Sequence, residues 1–190
     1  INAFTLGVRE INPAAQVEVV WTSTWFDPVV EGDSAQAMLD KGADVIAMHQ
    51  DSTAAGEKAE AAGARWVSYN SDMSAFAPTA YLTAPVWNWG PRYIDIINQA
   101  KEGTYTGGSY WGSMADGVVD LAPIASDVPG DVVAEVADAR QAIIDGELHV
   151  FAGPITAQDG SVMVAAGETM DDGSMLGMGA FVEGVIGSTG

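Results

Sequence analysis

No cysteine occurs among the 190 residues, which excludes disulfide staples, thiolate catalysis and Cys-ligated zinc and leaves the redox compartment open. Positive charge is almost as scarce. Seven Lys and Arg stand against 26 Asp and Glu, a formal charge of −19, and this removes nucleic acid and anionic membrane surfaces as partners, because both need a positive footprint. The two histidines, His49 and His149, lie too far apart in sequence to suggest a His-rich metal site. No apolar run approaches the ~20 residues that span a bilayer. What is present is a globular composition. Hydrophobic residues make up 48% of the chain, enough for a substantial core in one large domain or two small lobes. The acid is spread along the whole sequence, the pattern of a surface that serves solubility or salt tolerance.

The opening stretch INAFTLGVREINP has no initiator Met, no basic n-region and no apolar h-region. Apolar spacing at Ile1, Phe4, Leu6, Val8 and Ile11 predicts a helix already under way, ended by Asn12-Pro13. The sequence therefore reads as cut at its N-terminus, with any targeting segment upstream. QVEVVWTST (16–24) is β-branched and predicts a strand. Asp27-Pro28 starts a helix that Lys41-Gly42 stops, ADVIAMHQ (43–50) predicts a buried strand, TAAGEKAEAAG predicts a helix ended by Gly63, and ARWVSYN (64–70) predicts a third strand. Such β-α-β-α-β alternation with short connections implies a parallel sheet. Further on, the sequence predicts a strand over 80–86, a helix from near Pro91 to Gly103, and a strand over 109–124 turned near Ala115-Asp116-Gly117. A helix over 129–145 and two short strands around Asp159-Gly160 complete the pattern.

In open α/β sheets, ligands bind outside the carboxyl ends of the strands. STWFD, HQDST and YNSDM all fall at such ends. They would gather Trp25, Phe26, Asp27, His49, Gln50, Asp51, Ser52, Tyr69, Asn70, Ser71 and Asp72, a set of aromatic faces beside carboxylates and amides suited to a small planar molecule stacked by rings and read at its edges. Each residue also has a plainer reading. Trp25-Phe26 could fill the helix–sheet core, Asp51-Ser52-Thr53 could cap a helix, His49 could be a satisfied buried histidine, Asn88 could cap the helix after Gly90-Pro91, and Asp116-Gly117 could be only a turn. Asp72 has no evident capping role before Met73-Ser74. His149 reads as structural. The glycine-rich stretches GTYTGG and GGSYWG lack the lysine and spacing of a phosphate loop, and no nucleophile-elbow pattern occurs.

Taken together, INAFTLGVREINP, WFDP, KGADVIAMHQDS, YNSDMSAFAPTAYLTAPVWNWGP, YWGSMADGVVDLAP, FAGPITAQDG and VAAGE resemble, in order and spacing, the C-terminal part of the basic membrane protein family. These are substrate-binding lipoproteins of ABC importers, and the likeness is to the branch found in Gram-negative bacteria. The resemblance implies an α/β type I periplasmic-binding-protein fold, with parallel sheets flanked by helices in two lobes and a missing N-terminal portion. Residues 1–79 would supply second-lobe β-α units, 80–108 the crossover into a first-lobe strand and helix, and 109–190 the return to the second lobe and the C-terminal strands. It further implies a purine base or nucleoside as ligand and an ABC permease as partner. The location implied is periplasmic or on the cell envelope, through a lipid anchor on the missing segment, with no catalysis, cofactor or metal.

Carried across residue by residue, the resemblance assigns ligand contacts to Trp25, Phe26, His49, Gln50, Asp51, Ser52, Asp72, Asn88, Trp89, Trp111, Gly112 and Asp116. Nucleoside-binding members use an acidic residue for the ribose hydroxyls and a lysine late in the chain. No lysine follows Lys101 here, which favours a free base such as adenine. The alternatives are a purine nucleoside hydrolase built on Asp27, Asp51 and Asp72, or a binding protein for a sugar or another small polar ligand.

Overall fold

A computed structural model describes residues 1–190. The chain divides into two compact units, one of residues 24–145 and one of residues 1–23 with 146–190.

In the larger unit, Asp27 caps helix α2 (Pro28–Asp40) by accepting from the N–H groups of Val29 and Val30, each at 3.1 Å. Proline in the first turn costs nothing there, since that N–H would have no partner. Strand β2 (Val45–Ala47) follows, then helix α3 (Ala54–Ala62), ended by Gly63 in the left-handed conformation at φ +70°. Strand β3 (Arg65–Val67) pairs parallel with β2 on one side and with β4 (Tyr81–Thr83) on the other. The core of this unit is Trp66, fully buried, packed among Ile46, Tyr81 and the small residues Ala35, Ala55, Ala59, Ala77 and Ala80. Alanines on α2 and α3 let both helices lie close to the indole. At Gly56 of α3 even a methyl group would come within 2.4 Å of the ring.

The predicted strand over 80–86 is in fact two. After β4, strand β5 (Pro85–Trp87) leaves the parallel sheet and pairs antiparallel with β6 (Val119–Leu121). Helix α4 (Gly90–Glu102) follows β5, and helix α5 (Gly130–Ile144) follows β6. Arg140 of α5 donates to both oxygens of Asp120 on β6, at 2.7 and 2.8 Å, and so fixes helix to ribbon. Of the predicted strand over 109–124, only Val119–Leu121 is regular.

The smaller unit holds helix α1 (Asn2–Ile11), the expected opening helix, and strand β1 (Val17–Glu18). It continues with the hairpin of β7 (Ile155–Thr156) and β8 (Val162–Val164), helix α6 (Asp172–Leu176) and strand β9 (Val185–Ile186). The hairpin turns through Gly160 at φ +86°, where the sequence places it. Ile155, Val164, Phe181, Val182 and Val185 form the core, with Leu6 of α1 packed against it. One expectation is corrected in this unit. The strand at 16–24 is regular only at Val17–Glu18, and its parallel partner is β9 near the end of the chain, not β2. β-branched residues favour an extended backbone but do not name its neighbour.

Candidate ligand-binding site

Three loops of the larger unit carry the aromatic and polar residues singled out at strand ends: 24–27 before α2, 48–53 between β2 and α3, and 68–72 after β3. The first two are laced together. Asp51 N–H donates to the Trp25 carbonyl at 3.0 Å, and the Gln50 amide donates to the Thr24 carbonyl, also at 3.0 Å. Beneath them lies Glu31 of α2, only 2% exposed. One of its carboxylate oxygens accepts from Asp27 N–H at 2.9 Å, and the other accepts from Ser52 N–H at 3.2 Å and from Ser52 Oγ at 2.6 Å.

Aromatic rings then line up across the loops. The Trp25 and His49 rings are 5.9 Å apart at 46°, and His49 meets Tyr69 at 4.2 Å and 45°. Trp25 and Phe26 are each 64% exposed, so neither is a core residue. Partial desolvation pushes the His49 imidazole below its ordinary value, against the opposing pull of the Asp51 carboxylate. Near neutral pH the ring is therefore uncharged. Ser52 is buried, and its hydroxyl also accepts from the N–H of Ala54, the first residue of α3, at 3.3 Å, as well as meeting Glu31.

The third loop links this group to the β5–β6 ribbon. Asn70 sits at φ +59°, a left-handed position that Asn tolerates better than most residues. Its side-chain carbonyl accepts from the Trp87 indole N–H. Trp87 and Trp89 stack at 6.2 Å and 23°, and Trp89 and Tyr93 at 6.4 Å and 21°. Asn88 does not cap α4. Its N–H donates to Val118 at 2.8 Å and its amide to Gly117 at 3.3 Å, which ties it to the turn before β6. Asp116 closes that turn, accepting from Ser113 N–H and Oγ, both at 2.8 Å, and these bonds hold its carboxyl below the usual range. Trp111 is exposed, and a side chain at Gly112 would collide with the Tyr110 ring.

Asp72 stands apart from the aromatic group. Contrary to the sequence reading it has a local partner, Ser74 N–H at 2.9 Å, and Ser74 holds its carboxyl below the usual range. It lines a cleft of about 580 Å³ with Ser74, Thr79, Tyr81, Ser126 and Asp127, none of which belongs to the Trp25–His49–Tyr69 set. Burial first, and then the nearby Asp72 charge, push the Tyr81 phenol up to about 12.

Glu31, Trp87 and Tyr93 escaped the sequence reading. For Glu31 a signal existed, since it lies one residue beyond the spacing of a capping box on Asp27. Chemically, the set offers flat faces, an uncharged imidazole, an amide and a carboxylate, which suit stacking and edge recognition of a heterocycle. No group of three His, Asp or Glu side chains is placed to hold a metal ion.

The model of the family described as ABC transporter substrate-binding protein PnrA-like (Bmp) matches residues 1–152. A purine-binding protein of Brucella abortus is 45% identical over 187 residues, which is 97% of this chain and 53% of that protein. A putative ABC transporter glucose-binding protein of Haloferax volcanii is 37% identical over 187 residues, 98% of this chain and 45% of that protein. Among solved structures, an ABC transporter solute-binding protein of Conexibacter woesei superposes with a TM-score of 0.63 at 24% identity, covering 78% of this chain and 52% of its own. That likeness shows the fold, and the chain spans about half the length of the curated relatives it matches.

Proposed function

The chain belongs to the family of PnrA-like ABC transporter substrate-binding proteins, and on that premise we propose that it supplies part of the cleft in which a purine base or nucleoside is bound for delivery to a membrane permease. The observation that carries this reading is the Trp25–His49–Tyr69 set, with rings 5.9 and 4.2 Å apart and a Trp25 face open to solvent. A purine would stack on the Trp25 indole, with Gln50, Asp51 and the uncharged His49 in reach of its edge donors and acceptors. Stacking of this kind is worth about 1–3 kcal/mol per base. The named ligand of the Brucella relative supports a purine. The lack of any lysine after Lys101 favours a base over a nucleoside.

Delivery requires capture and release without turnover, in a compartment outside the cytoplasmic membrane. Closure around the ligand would bury it, and the permease would read the closed form. No helix is long and apolar enough to cross a membrane, and the family likeness favours attachment through a lipid anchor. A sugar ligand is the second reading, favoured by the named ligand of the Haloferax relative. Calorimetric titration with adenine, adenosine, guanosine, inosine, ribose and glucose separates them. Adenine binding above the nucleosides supports the base reading, and nucleoside preference moves it to nucleosides. Binding of glucose or ribose alone overturns the purine proposal, and conversion of adenosine or inosine during the titration overturns binding without turnover.

A further inference from the structure

Glu31 is among the largest fully buried side chains, and it is a carboxylate. A buried carboxylate is costly unless its oxygens are hydrogen-bonded. Here they meet three donors, Asp27 N–H at 2.9 Å on one oxygen and Ser52 N–H and Oγ at 3.2 and 2.6 Å on the other. Those donors sit at the amino ends of two helices, α2 and α3, where the unpaired N–H groups and the helix dipoles favour negative charge. The helices approach closely enough that a methyl at Gly32 would touch Ala54 at 3.6 Å.

We propose that Glu31 is the positioning residue of the ligand site: it locks the loop bearing Trp25 to the loop bearing His49 and Asp51, and so sets the gap between their rings. The assignment of a ligand to those rings rests on the function proposed above, whereas the lock itself does not. Asp27 lies two residues after Trp25, and Ser52 follows Asp51, whose N–H already reaches the Trp25 carbonyl at 3.0 Å. An apolar residue in place of Glu31 would fill the same space but leave all three donors orphaned. A carboxylate has acceptors on both oxygens, so it can hold both loops at once. Glutamine has an acceptor on one side only, so Glu31→Gln must set an amide N–H against either Asp27 N–H or Ser52 N–H.

The test uses the fact that the chain holds only two histidines. In the 190-residue chain, the imidazole proton resonances of His49 report the loop geometry through the neighbouring Trp25 and Tyr69 rings, and those of His149 serve as an internal reference. Glu31→Gln should shift the His49 resonances, leave those of His149 in place, and weaken adenine binding roughly tenfold or more, the size expected when a buried charged partner is lost. Ser52→Ala, which removes a single donor, should shift His49 less. A folded Glu31→Gln variant with His49 resonances and adenine affinity unchanged overturns the proposal, and if that variant does not fold, an unmoved His49 in Ser52→Ala overturns it equally. Should the parent chain bind no purine while Glu31→Gln still moves His49 alone, the lock stands and the purine reading falls. A parent that binds adenine beside an indifferent Glu31→Gln gives the reverse.

Discussion

Trp25 turns 64% of its surface to solvent, so replacing it removes stacking area and little from any core. Trp25→Ala is expected to weaken adenine binding by about 1–3 kcal/mol, while unfolding free energy stays within about 0.5 kcal/mol of the parent, as titration and denaturant melts on the same samples would read. His49 gives a prediction in pH. Its pKa is lowered in the folded chain, so between that lowered value and the ordinary value of about 6.5 the unfolded chain binds more protons. Stability should therefore rise with pH across that window, and His49→Gln should flatten the rise in urea melts. Single residues were also where the sequence was hardest to read. An acidic residue in the first turns of a helix is ordinarily solvated and dipole-favoured, so nothing in Glu31 itself announces burial. The turn formed by Asp72 with Ser74 depends on a backbone bend that composition does not encode. For Trp25 and Phe26 the sequence left core packing and a ligand face open, and only the fold exposes them, since the strand expected to end beside them is regular only at Val17–Glu18.

Among the elements, α2 and α3 were legible because their ends carry unambiguous chemistry, an Asp-Pro start in one and a left-handed Gly63 stop in the other. The strands were legible as extended segments but not as neighbours. Val17–Glu18 finds its partner across almost the whole chain in β9, and β4 and β5 look like one strand in sequence although they pair in different sheets. Partner choice is a property of the packed layers, which local propensity does not carry. Packing also decides an otherwise attractive substitution. Alanine should favour helix α3 over Gly56 by about 1 kcal/mol on propensity, yet its methyl would meet the buried Trp66 ring at 2.4 Å. Gly56→Ala is thus expected to be net destabilising, by about 1–3 kcal/mol, seen as a lower urea midpoint with an unchanged slope.

At the scale of the whole molecule, the charge of −19 sets a field that opposes compaction at low ionic strength. Salt screens it, with a Debye length of about 10 Å at 0.1 M, so thermal midpoints should climb from low salt to several tenths molar sodium chloride. A flat or falling midpoint would show that local ion pairs such as Arg140–Asp120 and Arg65–Asp127 outweigh the net field. Family membership joins this acidic chain to binding proteins of ABC transporters, and its larger unit carries the aromatic loops on which the purine reading depends. The most direct measurement is a titration of the 190-residue chain with adenine, followed through the imidazole resonances of its two histidines. Saturable movement of His49, with His149 unmoved, is the result expected of a purine stacked on Trp25 with its edge at His49. Adenine that leaves His49 where it was, at concentrations that saturate any binding, would contradict that site.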